Sequence, residues 1–152
     1  MKKFGGHAMA AGMTLARSDL DTFCSAFDKA VRDTLTAEDL EAAIITDGAL
    51  TSQELCLDTA TLLKRAGPWG QQFPEPLFDG EFRVVSQRIV GENHLKLVLQ
   101  PVNGKDIVDG IAFNTGPEVP DYTKTGARVV YKPDSNTFRG RTNLQLLVDY
   151  LE

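Results

Sequence analysis

The sequence predicts an α+β chain, with helices and short strands in its first half and a small five-stranded β-barrel in its second. Three observations carry this reading. Apolar residues recur at helical spacing across residues 20–35. They alternate along several segments after residue 78. Between these textures lies Gly67-Pro68-Trp69-Gly70-Gln71-Gln72-Phe73-Pro74-Glu75-Pro76, whose three prolines and two glycines allow no regular element.

The first half opens on Phe4-Gly5-Gly6-His7-Ala8-Met9-Ala10-Ala11-Gly12. Two adjacent glycines allow a tight bend and close approach of a ligand. Ala8 to Ala11 are good helix formers that Gly12 can stop, so a Gly-rich bend feeding a short helix is expected. Free N–H groups there would suit a phosphate, with His7 on the rim. On the pattern alone a plain turn before a small packed helix is the better account, with His7 a satisfied polar residue. Met13–Ala16 reads as a short strand. Ser18 starts a helix with Asp21 as its capping partner, and Leu20, Phe23, Cys24, Phe27, Val31 and Leu35 form its buried stripe. Thr36 opens a second helical segment through Glu41, and Ala43–Thr46 reads as a strand before an Asp47-Gly48 turn. Thr51 or Ser52 caps the next helix, which buries Leu55, Leu62, Leu63 and Ala66 and ends at Gly67-Pro68. Trp69 and Phe73 anchor the connector by packing.

The second half reads as strands over Glu81–Val90, His94–Leu99, Asp106–Phe113, Ala127–Lys132 and Asn143–Tyr150. Leu95, Leu97 and Leu99 share one face, and Leu144, Leu146 and Val148 point inward on the last strand. Gly110 marks a bulge or bend. Five strands with bends, and one long polar loop over Asn114–Gly126, suggest a small closed barrel of the OB type.

Composition narrows the function. The 152 residues are 42% hydrophobic and 24% charged, with a net charge of −5 that argues against a wholly basic nucleic-acid binder. The charge is uneven: residues 1–76 carry seven Lys/Arg against eleven Asp/Glu, and residues 77–152 carry nine against ten. No apolar run reaches membrane-spanning length, and Met1-Lys2-Lys3 has no apolar region behind it, so neither a membrane nor a secretory signal is expected. Cys24 and Cys56 lack metal-ligand spacing and read as buried free thiols of a reducing, cytoplasmic protein. No catalytic triad, acid/base carboxylate pair or Walker loop appears, so no catalytic or metal-ligating residue is expected in the chain itself.

The binding candidates lie in the barrel. Arg83, Arg88, Lys96, Arg128 and Lys132 fall on strands, and Phe138-Arg139-Gly140-Arg141 makes a compact basic tip before the last strand. Arg and Lys with exposed aromatics would track phosphates and stack bases of a single strand. The strand charges serve equally as edge protection, with Phe82, Phe113 and Tyr131 as core. The tip favours binding, because its glycine lets the backbone approach a ligand. Pro133-Asp134-Ser135 places a proline and an acid close to it, which weakens a basic groove. His94, after a turn, reads as a surface residue.

Three motifs also carry a family resemblance that covers nearly the whole chain. FGGHAMAAG, from Phe4, resembles the signature near the end of the DHHA1 domain of DHH-superfamily phosphoesterases. GPWGQQFPEPLF and FRGRTNLQLLVDY resemble the arrangement with an appended OB-fold found in the RecJ family of single-strand-specific 5′→3′ DNA exonucleases. The resemblance implies the tail of a DHHA1 domain over 1–50, a linker helix and connector over 51–76, and an OB-like nucleic-acid-binding barrel over 77–152. It implies that Gly5, Gly6 and His7 face a substrate phosphate. It also implies a parent hydrolase that uses Mn²⁺ or Mg²⁺ in DNA recombination and repair. The family's DHH metal motifs are absent here, so this chain is expected to bind rather than cleave. Single-stranded DNA is the implied partner. Two alternatives stay open: a module docking a partner such as single-stranded-DNA-binding protein, and a fragment of a small-nucleotide DHH phosphodiesterase, against which the appended barrel argues.

Overall fold

The computed structural model describes residues 3–152, so Met1 and Lys2 of the N-terminal Met1-Lys2-Lys3 lie outside the described residues. Contacts divide the chain into one unit ending at Ile44 and a second from Ile45 to Glu152.

In the first unit the glycine stretch corrects the expected helix. β1 (Lys3–His7) and β2 (Ala10–Thr14) form an antiparallel hairpin, with Gly5 opposite Gly12, Gly6 opposite Ala11 and His7 opposite Ala10. The reason for glycine at position 6 is cross-strand crowding. A Cβ there would sit 3.0 Å from the Ala11 Cβ and 3.2 Å from the Ala10 carbonyl oxygen. The alanines that favour a helix by propensity are overridden by this pairing. After a 3-10 turn at Arg17–Asp19, α1 runs over Leu20–Thr34. The expected Ser18–Asp21 cap does not form; Ser18 Oγ donates instead to Asp19 Oδ1 at 3.1 Å. Nor is the stripe a core. Leu20, Cys24, Phe27 and Leu35 are exposed, Phe23 and Val31 half-buried, and Phe23 stacks on Phe27 at 5.7 Å. Among the described residues α1 packs on neither strand of its unit, so nothing there dries its apolar side. Only a 3-10 turn, Glu38–Leu40, forms where a second helical segment was expected, and Thr36 and Asp39 bond reciprocally across it.

The strand expected at Ala43–Thr46, which straddles the division between the units, does not form. That segment enters no ladder, although Asp47 N–H donates to the Leu77 carbonyl at 2.7 Å. Thr51 and Glu54 make the reciprocal bonds of a capping box, at 2.8 Å and 3.3 Å, but they close a turn. The helix, α2 (Leu57–Ala66), starts three residues after Glu54. Its buried residue is Ala60, whereas Leu62 and Ala66 are exposed, a correction to the expected face. In the connector the Trp69 indole donates to the Leu63 carbonyl at 3.1 Å and its ring packs on Phe73 at 4.9 Å.

Five strands follow: β3 (Phe78–Val90), β4 (His94–Pro101), β5 (Val108–Ala112), β6 (Ala127–Phe138) and β7 (Arg141–Leu151). They pair in the order β3-β4-β5-β7-β6, and β6 returns to β3 to close a barrel. All neighbours are antiparallel except β5 and β7, which run parallel. Inward residues fill it: Leu95, Leu97, Leu99, Val129 and Leu146 are fully buried, and Phe82 meets Tyr131 edge-to-face at 5.6 Å. Each such aliphatic side chain contributes about 1.5–3 kcal/mol by leaving water. Burial pushes the Tyr131 hydroxyl up to about 12. A Cβ at Gly110 would stand 3.0 Å from Leu99 Cδ1, so a larger residue there would force the leucine to shift inside the barrel. Gly110 pairs regularly with Leu97, so the expected bulge is absent; the register shifts fall between Val84 and Ser86 and between Val130 and Tyr131.

Two further corrections bear on the binding face. The fourth strand does not stop at Lys132. It continues through a buried Pro133, opposite Leu146, to Phe138. β6 is paired on its β3 side only as far as Tyr131, so a proline beyond that point interrupts no ladder there. Asp134 and Ser135 are therefore strand residues rather than part of a tip. Phe113 is not core: it is exposed at the end of β5, edge-to-face with His94 at 5.1 Å.

Candidate nucleic-acid interface

The basic tip is the turn of the β6–β7 hairpin. Arg139 and Gly140 have φ of 50° and 77°, the left-handed pair of a two-residue type I′ connection. Phe138 pairs with Arg141 across its mouth, and the Thr137 and Thr142 hydroxyls bond at 2.8 Å one step below. Phe138 is 66% exposed, with the Arg139 guanidinium carbon 5.2 Å from its ring centroid. A planar cation over an open aromatic face is a surface on which a base can stack.

Strand register extends the tip into a groove of about 730 Å³. Arg88 on β3 lies opposite Lys96 on β4, Asp109 on β5 lies opposite Gln145 on β7, and Asn143 lies opposite Asn136. These side chains and Phe138, Arg139 and Arg141 line one concave surface. Lys96 Nζ donates to Asp109 Oδ2 at 2.8 Å. Arg88, Arg139 and Arg141 have no carboxylate partner among the described residues. The groove thus draws on the second and third barrel strands and the turn between the fourth and fifth, where OB-folds take oligonucleotides, and also on Arg88 of the first strand and Asn143 and Gln145 of the fifth.

The other candidates fall elsewhere. Arg83 is exposed opposite Gln100 and does not line the groove. Arg128 is paired with Asp79 at 2.8 Å and borders a different cleft, of about 930 Å³, with Leu50 and Tyr131. The Thr46 hydroxyl first, then the Arg128 guanidinium, hold the Asp79 carboxyl below the usual carboxylate range. Lys132 pairs with Asp149 at 3.1 Å. Gly5, Gly6 and His7 are exposed on β1 of the first unit. Of the eight barrel candidates, Arg88, Lys96, Phe138, Arg139 and Arg141 come together.

Sequence reasoning missed Asp109, Asn143 and Gln145. Arg141, Asn143 and Gln145 alternate with the inward Leu144 and Leu146, so period two alone places them on one face. Asp109 gave no such signal, because its place depends on the β4–β5 register.

The family described as RecJ OB domain matches residues 46–150. The chain belongs to the RecJ OB domain family. It is 49% identical over 152 residues to the single-stranded-DNA-specific exonuclease RecJ of Dickeya dadantii, covering 99% of this chain and 26% of that protein. The RecJ of Escherichia coli K12 is 46% identical over 150 residues, covering 98% of this chain and 26% of that protein. The chain thus spans about a quarter of the length of the curated relatives it matches. In fold it is similar to RecJ of Thermus thermophilus in complex with Mg²⁺, with a TM-score of 0.65 and 19% identity, covering 99% of this chain and 23% of that one. The Mn²⁺ complex of the same protein gives a TM-score of 0.62 at 20% identity, covering 99% and 22%.

Among the described residues no three His, Cys, Asp or Glu side chains converge as a metal-ligand set. No helix of the described residues is long and apolar enough to cross a membrane.

Proposed function

We propose that the barrel grips single-stranded DNA as the substrate-binding portion of a RecJ-type exonuclease acting in recombination and repair. The observation that carries this is the convergence of Arg88, Lys96, Arg139 and Arg141 with an exposed Phe138 on one face of an OB-type barrel. Phosphates run along the cations while bases, which every sequence offers, stack on the ring. Recognition is therefore by backbone and stacking, with little base preference.

In this reading residues 1–50 are the end of a DHHA1 domain, 51–76 the linker helix and connector, and 77–152 the binding barrel. Gly5, Gly6 and His7, exposed on β1, meet a substrate phosphate in the longer enzyme. The Mn²⁺ or Mg²⁺ and its ligands belong to that enzyme's other domain, so this chain alone binds without cleaving. Both cysteines are free thiols, Cys24 exposed and Cys56 half-buried rather than buried as expected, and a reducing cytoplasm is the reading they support.

Fluorescent oligonucleotides titrated at several salt concentrations, with duplex of equal length as control, test this reading. Single strand should bind more tightly, with log affinity falling by roughly 0.7 per neutralised phosphate as log salt rises. Preference for duplex would sink it. Labelled single strand with Mn²⁺ or Mg²⁺ should stay intact; degradation that co-purifies with the chain would show that it cleaves.

A second reading, docking of a partner such as single-stranded-DNA-binding protein, is favoured by one feature. A cleft of about 280 Å³ beside Leu95, Phe113 and Val119 has apolar walls. Phe113 and Tyr150 at its rim are 54% and 46% exposed. A salt-insensitive complex with that protein, without oligonucleotide binding, would establish it.

A further inference from the structure

The groove contains an acid where a phosphate-binding surface gains nothing from one. Asp109 stands on β5 among Arg88, Lys96, Arg139 and Arg141, and its Oδ2 is 2.8 Å from Lys96 Nζ. The lysine side chain is 20% exposed and the aspartate 48%. The lysine is thus the less exposed partner of the pair and the carboxylate the more open one.

We propose that Asp109 is a built-in competitor for the DNA phosphate: it occupies Lys96 in the free protein and sets the grip of the groove. The proposal rests on the groove's binding single strands. An ammonium already held by a carboxylate neutralises no phosphate and so releases no counterion from the DNA, and Lys96 adds little to the salt dependence. A phosphate that reaches Lys96 must displace Asp109 or lie beside it, like charge against like charge. Asp109 also keeps Lys96 ordered while the groove is empty. The wild-type groove therefore behaves as three free cations, Arg88, Arg139 and Arg141, although four line it.

Four forms of the chain separate this from a structural ion pair: wild type, Asp109→Asn, Lys96→Ala and the double variant, each titrated with a fluorescent oligothymidylate across salt. Asp109→Asn should tighten binding at low salt by about three- to tenfold and steepen the log–log slope by roughly 0.7, one further phosphate contact. Lys96→Ala leaves Asp109 without its partner and should bind more weakly than the double variant. Glu118→Gln changes net charge equally but lies outside the groove, and should leave both affinity and slope within about twofold of wild type. Melting temperatures of all variants confirm folding. An Asp109→Asn protein that is folded and binds no more tightly than wild type, with an unchanged slope, overturns the proposal, as does equal tightening by Glu118→Gln. Wild type that binds with Asp109→Asn unmoved defeats this inference alone. Absence of binding in every form defeats the reading of the groove as well.

Discussion

Asp79 Oδ2 accepts from two nitrogens of one guanidinium, Arg128 Nη2 at 2.8 Å and Nε at 3.2 Å, while its Oδ1 accepts the Thr46 hydroxyl at 2.6 Å. Three bonds on one carboxylate fasten β3 to β6 and to the segment before the barrel. They also explain why Arg128, basic and on a strand, is not free for a phosphate.

The first prediction concerns acid. The Asp79 carboxyl is held below its ordinary value of 3.8 in the fold. Its contribution is therefore fully present above that value and is lost as pH falls through the lower, folded one. Asp79→Asn should cost about 1–2 kcal/mol at neutral pH, the loss of charge-assisted bonds. Chemical denaturation from pH 7 to pH 2 should show the difference from wild type shrinking at the acid end. A difference that stays constant across the range would mean the carboxylate charge plays no part.

A second prediction follows from where the cations stand. Alanine at Arg88, Arg139 or Arg141 should each weaken single-strand binding and flatten the salt slope by roughly 0.7. Alanine at Arg83 or Lys132, which lie outside the groove, should leave the slope unchanged. Equal effects at all five would indicate a diffuse field rather than a groove.

The tip sets stability against binding. Arg139 has φ of 50°, a conformation that costs a non-glycine residue roughly 1–2 kcal/mol and that asparagine tolerates better. Arg139→Asn should raise the melting temperature by about 2–5 °C and weaken oligonucleotide binding about tenfold through lost charge and stacking. A lower melting temperature would show that the stack on Phe138 outweighs the backbone strain.

For His7 the test needs the full-length enzyme. His7→Ala should lower turnover by about a hundredfold or more, as for loss of a group facing the reacting phosphate. Its melting temperature should stay within about a degree, because His7 is exposed on β1. Normal turnover with a marked loss of stability would reverse the assignment.

Legibility in the sequence followed the range of the forces involved. Alternation is local, so Leu95, Leu97 and Leu99 on β4, and Leu146 and Val148 on β7, were readable as one buried face. Phe138-Arg139-Gly140-Arg141 stood out as a basic, glycine-bearing stretch, but its place as a hairpin turn did not, because the strand before it read only to Lys132. The glycine hairpin was not readable either. Ala8 to Ala11 favour a helix locally, and only the β1–β2 pairing, with Gly6 against Ala11, decides otherwise. Pro133 hid the length of β6, since whether a proline is tolerated depends on which side of the strand lacks a partner. The candidate cations were likewise separable only by register. Lys132 faces Asp149, Arg128 faces Asp79, and Arg88 turns toward the hairpin tip.

The closure of β3 on β6 has a kinetic consequence. The β3–β4 and β6–β7 hairpins can zip locally, but Asp79 and Arg128, on the strands that seal the ring, are 49 residues apart in the chain. Bringing such distant segments together costs loop entropy before any contact returns it, so ring closure is the slow event in folding. Until then the leucines of β4 face water on an open, curved sheet with two unpaired edges, the form most exposed to edge-to-edge association. Because Leu146 and Val148 of β7 complete the same core, a ribosome must release nearly all of the barrel before any part of its interior is fully dry.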